Sequence, residues 1–340
     1  MRVHVPSHQL SLLQRLERVK RRISGADSGL SRSVRPPTEA LFARATGLHA
    51  LDSREARSYT ARMKSTSDAR IAAIVNLSAF TGMLVVNILA NSVPINNVTT
   101  GELSDAYPNL FVPVGTTFAV WGVIWLLLGV HLLMQIRTAF AKKGGEPDFA
   151  ESAGRNPWSP GVVGFWFTAN MILNAGWIFA WHHRLVGVSV VIMLGLLATL
   201  IVMHRRLSVL YRMEEVIRPK GNLRLARVPI SVYFGWISIA TIANITAFLV
   251  SIDWDGFGLP DVFWTIAMIA VGFGLTVAML IRHQDVAFAA VVVWAFAGIA
   301  ARRIIEGTPE GPAILVAAIV AGLLIIVFGA VTATRRFVRR

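Results

Sequence analysis

The sequence predicts an all-α fold, a polytopic membrane helix bundle of about eight spans. Of its 340 residues, 54% are hydrophobic and only 15% are charged, and its mean hydropathy is +0.58, values typical of proteins with many spans. The apolar residues are grouped in eight stretches of roughly spanning length. Cysteine is absent, which excludes disulfides, thiol catalysis and metal sites with cysteine ligands.

Basic residues outnumber acidic ones and give the chain a formal net charge of +14. In a soluble protein this charge would indicate a nucleic-acid partner. Here Lys and Arg are concentrated at the ends of the apolar stretches and in an N-terminal arm, where they set topology and contact lipid headgroups. We therefore expect the lipid bilayer, and no nucleic acid, as a partner.

Residues 1–62 form a basic arm that we expect to be largely disordered. Its Lys and Arg number twelve against five acids, and the stretch 10–22 could lie on an anionic membrane as an amphipathic helix. The arm lacks the apolar region of a secretory signal peptide. Three interpretations stay open: a natural start at Met63 that makes the arm dispensable, a cytoplasmic surface anchor, and a transit peptide.

The eight predicted spans fall into two groups after the arm. Five belong to a membrane unit over residues 63–252, and three more, with a basic tail, occupy residues 253–340. Their predicted bounds are 71–93, 113–136, 161–182, 185–204, 228–251, 261–281, 286–301 and 313–334. The seventh is short for a spanning helix.

Loop charges predict the orientation of these spans. The loop between the second and third spans, the loop between the fourth and fifth, and the tail are all rich in Lys and Arg, and they share one side of the membrane. The opposite side receives Arg184, Arg302 and Arg303 together with several acids. Under the positive-inside rule, both termini are predicted to be cytoplasmic.

The loop after the first span is long and punctuated by proline and glycine. Its capping-type residues Thr100 and Ser104 lie near Glu102 and Asp105, a combination that predicts a short surface helix. We expect the aromatic residues Tyr107 and Phe111, further along the same loop, to lie at the membrane interface.

The third span carries a polar and aromatic stripe. Asn170, Asn174, Trp177 and Trp181 follow one another at i, i+4, i+7 and i+11, which places them on one face of a helix. Polar side chains are costly in hydrocarbon, so this face is predicted to look inward, towards other helices or a bound molecule.

Three further spans carry similar stripes. Their members are Phe80, Leu84, Asn87 and Asn91 in the first span, Phe118, Trp121 and Trp125 in the second, and Tyr233, Trp236, Ala240 and Asn244 in the fifth. Such stripes can simply hold helices together, with each interhelical hydrogen bond contributing about 0.6–2 kcal/mol. The lone His131 of the second span is likewise expected to make a helix–helix contact rather than to bind a ligand.

The third and fifth spans together resemble the tryptophan-rich sensory protein family, also called the translocator protein or peripheral benzodiazepine receptor family. Its third helix typically reads Gln-x-x-x-Asn-x-x-Trp, and here Asn170, Asn174 and Trp177 take those positions, with Asn for Gln. The resemblance covers about residues 71–252, so the last three spans and the arm lie outside it.

The fifth helix of that family reads Pro-Tyr-x-x-Trp, with Ala four residues and Asn eight residues after the Trp. This chain matches the spacing but has Val232 where the Pro is expected. The matching residues are Tyr233, Trp236, Ala240 and Asn244. The second span, which opens with Pro113 and continues with aromatic residues, and the long first loop are similar to a divergent, longer branch of the family.

The resemblance implies a membrane sensor or regulator that binds a flat apolar ligand between helices 1, 2, 3 and 5. The ligand classes it implies are porphyrins and other haem-type tetrapyrroles, sterols and drug-like aromatic molecules, and no cofactor or metal is required. Indole rings would stack on the ligand, and asparagine amides would meet its polar edge. The expected ligand-binding residues are Asn87, Phe118, Trp121, Trp125, Asn170, Asn174, Trp177, Tyr233, Trp236, Ala240 and Asn244.

Two other functions stay open: a small-molecule transporter or exporter subunit, and a tetrapyrrole-modifying enzyme. The first five spans contain no Asp, Glu, Lys or Arg in mid-span, which disfavours both ion coupling and acid–base catalysis. We expect a multi-pass protein of the bacterial plasma membrane. Its partners are the bilayer and a hydrophobic small molecule, and a second copy of the chain is a possible partner.

Overall fold

The computed structural model describes residues 66–93, 95–141, 157–217 and 223–338, and the predicted N-terminal arm lies outside the described residues. Within these ranges the chain folds into helices and turns, without a strand. We number the α-helices in chain order. They are α1 (Thr66–Ser92), α2 (Thr100–Asp105), α3 (Val120–Phe140), α4 (Pro160–Val163), α5 (Phe165–His182), α6 (Val186–Ile217), α7 (Leu223–Ser251), α8 (Asp261–His283), α9 (Val286–Glu306) and α10 (Gly311–Val338).

The eight long helices coincide with the eight predicted spans, and the all-α membrane bundle is confirmed. Seven of the described helices are long and apolar enough to cross a membrane. The long helix missing from this set is α5, because its asparagines and its terminal histidine lower the hydropathy of an 18-residue segment. The seventh predicted span was set too short: α9 continues to Glu306 and has 21 residues.

The first five long helices form a closed ring of contacts. α1 packs against both α3 and α5, α5 packs against α6, α6 against α7, and α7 returns to α3. The last three helices attach to this ring mainly through α9, which packs against α7, while α8 and α10 pack against α9 and against each other. The ring therefore encloses an interior to which α1, α3, α5 and α7 can all contribute side chains.

The loop between α1 and α3 folds over one end of the ring. The predicted surface helix is present as α2, although its cap is Thr99 rather than Thr100: Glu102 N donates to Thr99 Oγ1, and Thr99 N donates to a Glu102 carboxylate oxygen at 2.7 Å. These two donors from Thr99, backbone and hydroxyl, lower the pKa of Glu102. The expectation for Phe111 was wrong, because this ring is buried in the apolar core instead of lying at the interface.

A buried carboxylate joins the ring to the last three helices. Asp285 lies between α8 and α9, and its Oδ2 is 2.7 Å from His204 Nε2 of α6, 2.6 Å from Ser231 Oγ of α7 and 3.6 Å from Arg227 Nε of α7. Its other oxygen accepts the backbone N–H of Phe288 and so caps α9. Burial by itself would raise the pKa of Asp285, but the hydrogen bond from His204 and the charge of Arg227 hold it below its ordinary value.

Candidate functional site

Most of the residues expected to bind a ligand meet inside the ring. Asn87 comes from α1, Asn174 and Trp177 from α5, and Tyr233 and Trp236 from α7, and all five are buried. They form two chains of hydrogen bonds and one cluster of aromatic rings.

The first chain crosses the ring from α1 to α7. Asn87 Nδ2 donates to Asn174 Oδ1 at 2.9 Å and also to the backbone oxygen of Met83. Asn174 Nδ2 in turn donates to Tyr233 Oη at 2.7 Å. Because Asn174 and Tyr233 are each only 1% exposed, this chain is sealed from the surroundings of the bundle.

The second chain links α5, α7 and α6. Trp177 Nε1 donates to Asn244 Oδ1 at 3.0 Å, and Asn244 Nδ2 donates to Ser189 Oγ at 2.9 Å. The Trp177 ring also stacks on Trp181, with centroids 5.5 Å apart and planes at 14°. Ser189 was not foreseen, since it lies in the nearly featureless fourth span and no polar neighbour in the sequence marks it.

The aromatic cluster occupies the α3 and α7 side of the interior. The Trp121 ring stacks on Trp125 at 6.2 Å and meets Tyr233 and Trp236 edge-on at 5.7 and 6.3 Å. Phe118 approaches Trp236 edge-on at 5.7 Å from the turn before α3, residues Gly115–Ala119. We call these five residues the aromatic wall.

Two indole N–H groups of the aromatic wall have no hydrogen-bond acceptor. Both Trp125 Nε1 and Trp236 Nε1 are buried, and neither has a partner among the described residues. A buried donor left unpaired costs about 1–3 kcal/mol. In the chains next to the wall, Asn174 and Asn244 each use both the carbonyl oxygen and the amide group, so the unused hydrogen-bonding groups of the wall are donors.

An apolar groove of about 420 Å³ runs between α1 and α3 and reaches the aromatic wall at Trp125. Phe80 and Leu84 of α1 form the facing side near Trp125. The remaining lining residues are Leu77, Leu126, Gly129, Val130, Leu132, Leu133 and Ile136.

Two of the expected residues do not join this site. Asn170 is fully buried but turns towards α6, where its Nδ2 donates to Thr199 Oγ1 at 2.7 Å and to the backbone oxygen of Leu196 at 3.3 Å. Ala240 lies one turn beyond Trp236 on α7, is half-buried and offers only a methyl group. The stripe on α5 therefore faces two different neighbours along its length.

The described residues hold no cluster of metal ligands, and their one buried Ser–His–Asp contact does not have the geometry of a catalytic triad. No group of three His, Cys, Asp or Glu side chains in the described ranges is placed to hold a metal ion. Ser231, His204 and Asp285 are the residue types of a catalytic triad, but Ser231 Oγ and His204 Nε2 both bind the same oxygen, Asp285 Oδ2. The imidazole is therefore not placed to take a proton from this serine.

Searches among curated proteins and among solved structures found no match to this chain. A protein-family model, described as TSPO-like protein, matches residues 73–331, about three quarters of the chain. This match corrects the extent of the resemblance, which was expected to end near residue 252: it continues through α8 and α9 and into α10. The chain is a multi-pass membrane protein that belongs to the TSPO-like protein family.

Proposed function

We propose that this protein is a membrane sensor or regulator that binds a flat, apolar ligand against the aromatic wall, between α1, α3, α5 and α7. The observation that carries the proposal is the pair of buried, unpaired indole donors, Trp125 Nε1 and Trp236 Nε1. A ligand that carries an acceptor oxygen or nitrogen would satisfy them, while its ring system stacks on the indoles.

The hydrogen bonds already made inside the ring restrict which chemical groups the ligand can present. Asn174 already uses its carbonyl oxygen for Asn87 and its amide group for Tyr233, so a ligand that bound this side chain would have to break the chain of hydrogen bonds. We therefore propose that the ligand contacts indole donors rather than the asparagines, and that its buried edge bears a carbonyl, ester or ring-nitrogen acceptor. A tetrapyrrole or another polycyclic molecule with such groups fits this description.

The groove between α1 and α3 supports a ligand of this kind. Its volume of about 420 Å³ lies within the usual range of small-molecule sites, roughly 300–1,000 Å³. Its lining is apolar, and Leu126 and Leu133 in its wall are exposed on the outer face of α3. A ligand that partitions into the bilayer could therefore reach Trp125 from the side.

Binding, rather than a reaction, is proposed because of the chemistry of the side chains. The aromatic wall and the two amide chains consist of indoles, a phenol, a phenyl ring, amides and a hydroxyl, without the matched acid and base that group transfer requires.

We also propose, from the loop charges, that the protein lies in the bacterial plasma membrane with both termini in the cytoplasm. In intact cells, a single cysteine at Phe257 should then react with an impermeant maleimide, whereas one at Lys143 should react only after lysis.

Titration with protoporphyrin tests the ligand site. Trp125→Phe and Trp236→Phe each remove an indole N–H and keep an aromatic ring, so each should weaken binding about 2–10-fold, the value of one hydrogen bond. The shift of the porphyrin absorbance band measures affinity without relying on tryptophan emission. Trp254→Phe, in the loop between α7 and α8, is the matched control. Unchanged affinity in both wall variants would overturn the proposal.

A further inference from the structure

We infer, on the basis of the function proposed above, that α9 regulates the ligand site by holding the turn that carries Phe118. The turn Gly115–Ala119 has two faces: Phe118 points to Trp236 in the aromatic wall, and Thr117 packs on α9. A ligand that displaces Phe118 must then move α9, and a shift of α9 must change the fit of the ligand.

Backbone hydrogen bonds fix the turn to α9. Val114 N donates to the backbone oxygen of Gly298 at 3.1 Å, an oxygen in the middle of α9. Trp294 Nε1, one turn earlier on α9, donates to the backbone oxygen of Thr117 at 2.9 Å. Two elements more than 170 residues apart in the chain are thus joined by hydrogen bonds that involve the backbone of the turn.

The contact leaves no space for adjustment at Gly298. A Cβ atom at this position would overlap Thr117 Oγ1 and lie 2.8 Å from Thr117 Cγ2 and 3.0 Å from Thr117 Cβ. Thr117 is itself buried. Because packed interiors respond to small volume changes, a single methyl group here should displace the turn or the helix.

α9 also packs against α7 next to Trp236. Gly235 directly precedes Trp236 on α7, and a Cβ atom there would lie 2.9 Å from the backbone oxygen of Phe288 on α9. The rings of Phe118 and Trp236 meet edge-on, and the residue before each in the sequence, Thr117 or Gly235, is in close contact with α9.

Both ends of α9 are held, so the helix can transmit a displacement instead of absorbing it. At its start, Asp285 caps the helix and binds His204 and Arg227 of the ring. At its end, Arg302 pairs with Asp105 of α2 and with Glu306.

Linkage makes the coupling reciprocal. If ligand binding shifts the α9 equilibrium by a given factor, a change in α9 shifts ligand affinity by the same factor, and such factors are typically about 5–150-fold. Gly298→Ala is the direct test, and it should weaken protoporphyrin binding by about 5-fold or more. Gly274→Ala on α8 is the matched control, because no atom lies within 4 Å of its added Cβ.

A rescue variant separates coupling from misfolding. Thr117→Ala removes the two nearest obstructing atoms, so the double variant Gly298→Ala/Thr117→Ala should bind within about twofold of Thr117→Ala alone. Thermal unfolding of each purified variant reports whether the bundle is intact. If Gly298→Ala does not fold, Trp294→Phe removes one hydrogen bond to the turn, keeps the ring, and should weaken binding in the same direction.

A reciprocal measurement follows α9 itself. The chain has no cysteine, so a spin label on a single cysteine at Ile305, an exposed position near the end of α9, reports the mobility of that helix. Saturating protoporphyrin should change the spectrum of this label in the unmodified background, and the change should be lost with Gly298→Ala.

The outcomes are distinguishable. If the unmodified chain binds protoporphyrin, but both Gly298→Ala and Trp294→Phe bind it equally well and the label does not respond, the role of α9 is overturned and the ligand site stands. If the unmodified chain binds no porphyrin, the proposed function and the regulation that depends on it both fail.

Discussion

The five-helix ring and the last three helices differ in where their polar side chains lie. The ring holds its amides and indoles inside, on α1, α3, α5 and α7, whereas the charged contacts of α8–α10 are concentrated at their ends, at Asp285 and Arg302. Hydropathy does not reveal this division. Among the seven helices apolar enough to cross a membrane, the two least apolar, α7 and α9, are the two most buried, at 50% and 56%, and the most apolar, α10, is only 28% buried.

This comparison changes the role of the last three helices. From composition they could be a lipid-facing scaffold, and α8 and α10 fit that description, since each is 28% buried. α9 does not, because it lies between the ring on one side and α8 and α10 on the other. The three helices are thus one buried helix and two helices that cover it.

The largest expected effect concerns the carboxylate that joins the two regions. Asp285→Asn removes the charge that binds His204 and Arg227, in a site where the carboxylate is only 2% exposed, and so breaks a buried charge pair from one side. Breaking a buried charge pair from one side costs about 3–5 kcal/mol of unfolding free energy. Unfolding in mixed detergent micelles measures the change.

The control for Asp285→Asn is Asp253→Asn. Asp253 is exposed in the loop after α7, and its substitution should change the unfolding free energy by no more than about 0.5 kcal/mol. Equal stability of the two variants would mean that this cluster does not hold the regions together.

The same carboxylate predicts how stability depends on pH. Since folding lowers the pKa of Asp285, its contribution is present above the pKa of the unfolded chain, ordinarily 3.8, and is lost as the pH falls through the lower, folded value. The stability difference between the unmodified chain and Asp285→Asn should therefore narrow as the pH falls below about pH 4. A difference that widened on acidification would contradict the assignment of the charged form.

The helices and much of the site could be predicted because their signals are local. Hydropathy identified all eight long helices, and helical spacing placed Asn174, Trp177, Tyr233 and Trp236 on inward faces. Asn170 shows the limit of that reasoning. It lies one turn from Asn174, but each turn of four residues rotates the face by about 40°, enough to move it from the ring interior to the boundary with α6.

The remaining contacts could not be predicted because they join distant segments. Ser189 lies in a span without other polar marks, and its partner Asn244 is 55 residues away. In the sequence Gly298 is one small residue among many, and its close contact with Thr117 is seen only in the structure. Nothing next to Asp285 in the sequence indicates that its carboxylate is buried in contact with His204 and Arg227.

The smallest expected effect concerns the amide chain inside the ring. Asn174→Ala would remove a hydrogen bond to Asn87 and another to Tyr233, and both partners are buried. Hydrogen bonds between membrane helices contribute about 0.6–2 kcal/mol each, so we expect a loss of about 1–3 kcal/mol of unfolding free energy. Asn91→Ala on α1 is the control: among the described residues, Asn91 bonds only to the backbone oxygen of Asn87 in its own helix, so its loss should cost less.

The same two variants distinguish a structural role of Asn174 from a role in ligand binding. If the ligand contacts the indole donors, Asn174→Ala should lower stability while changing protoporphyrin affinity less than Trp236→Phe does; the reverse order would assign the ligand contact to the amides.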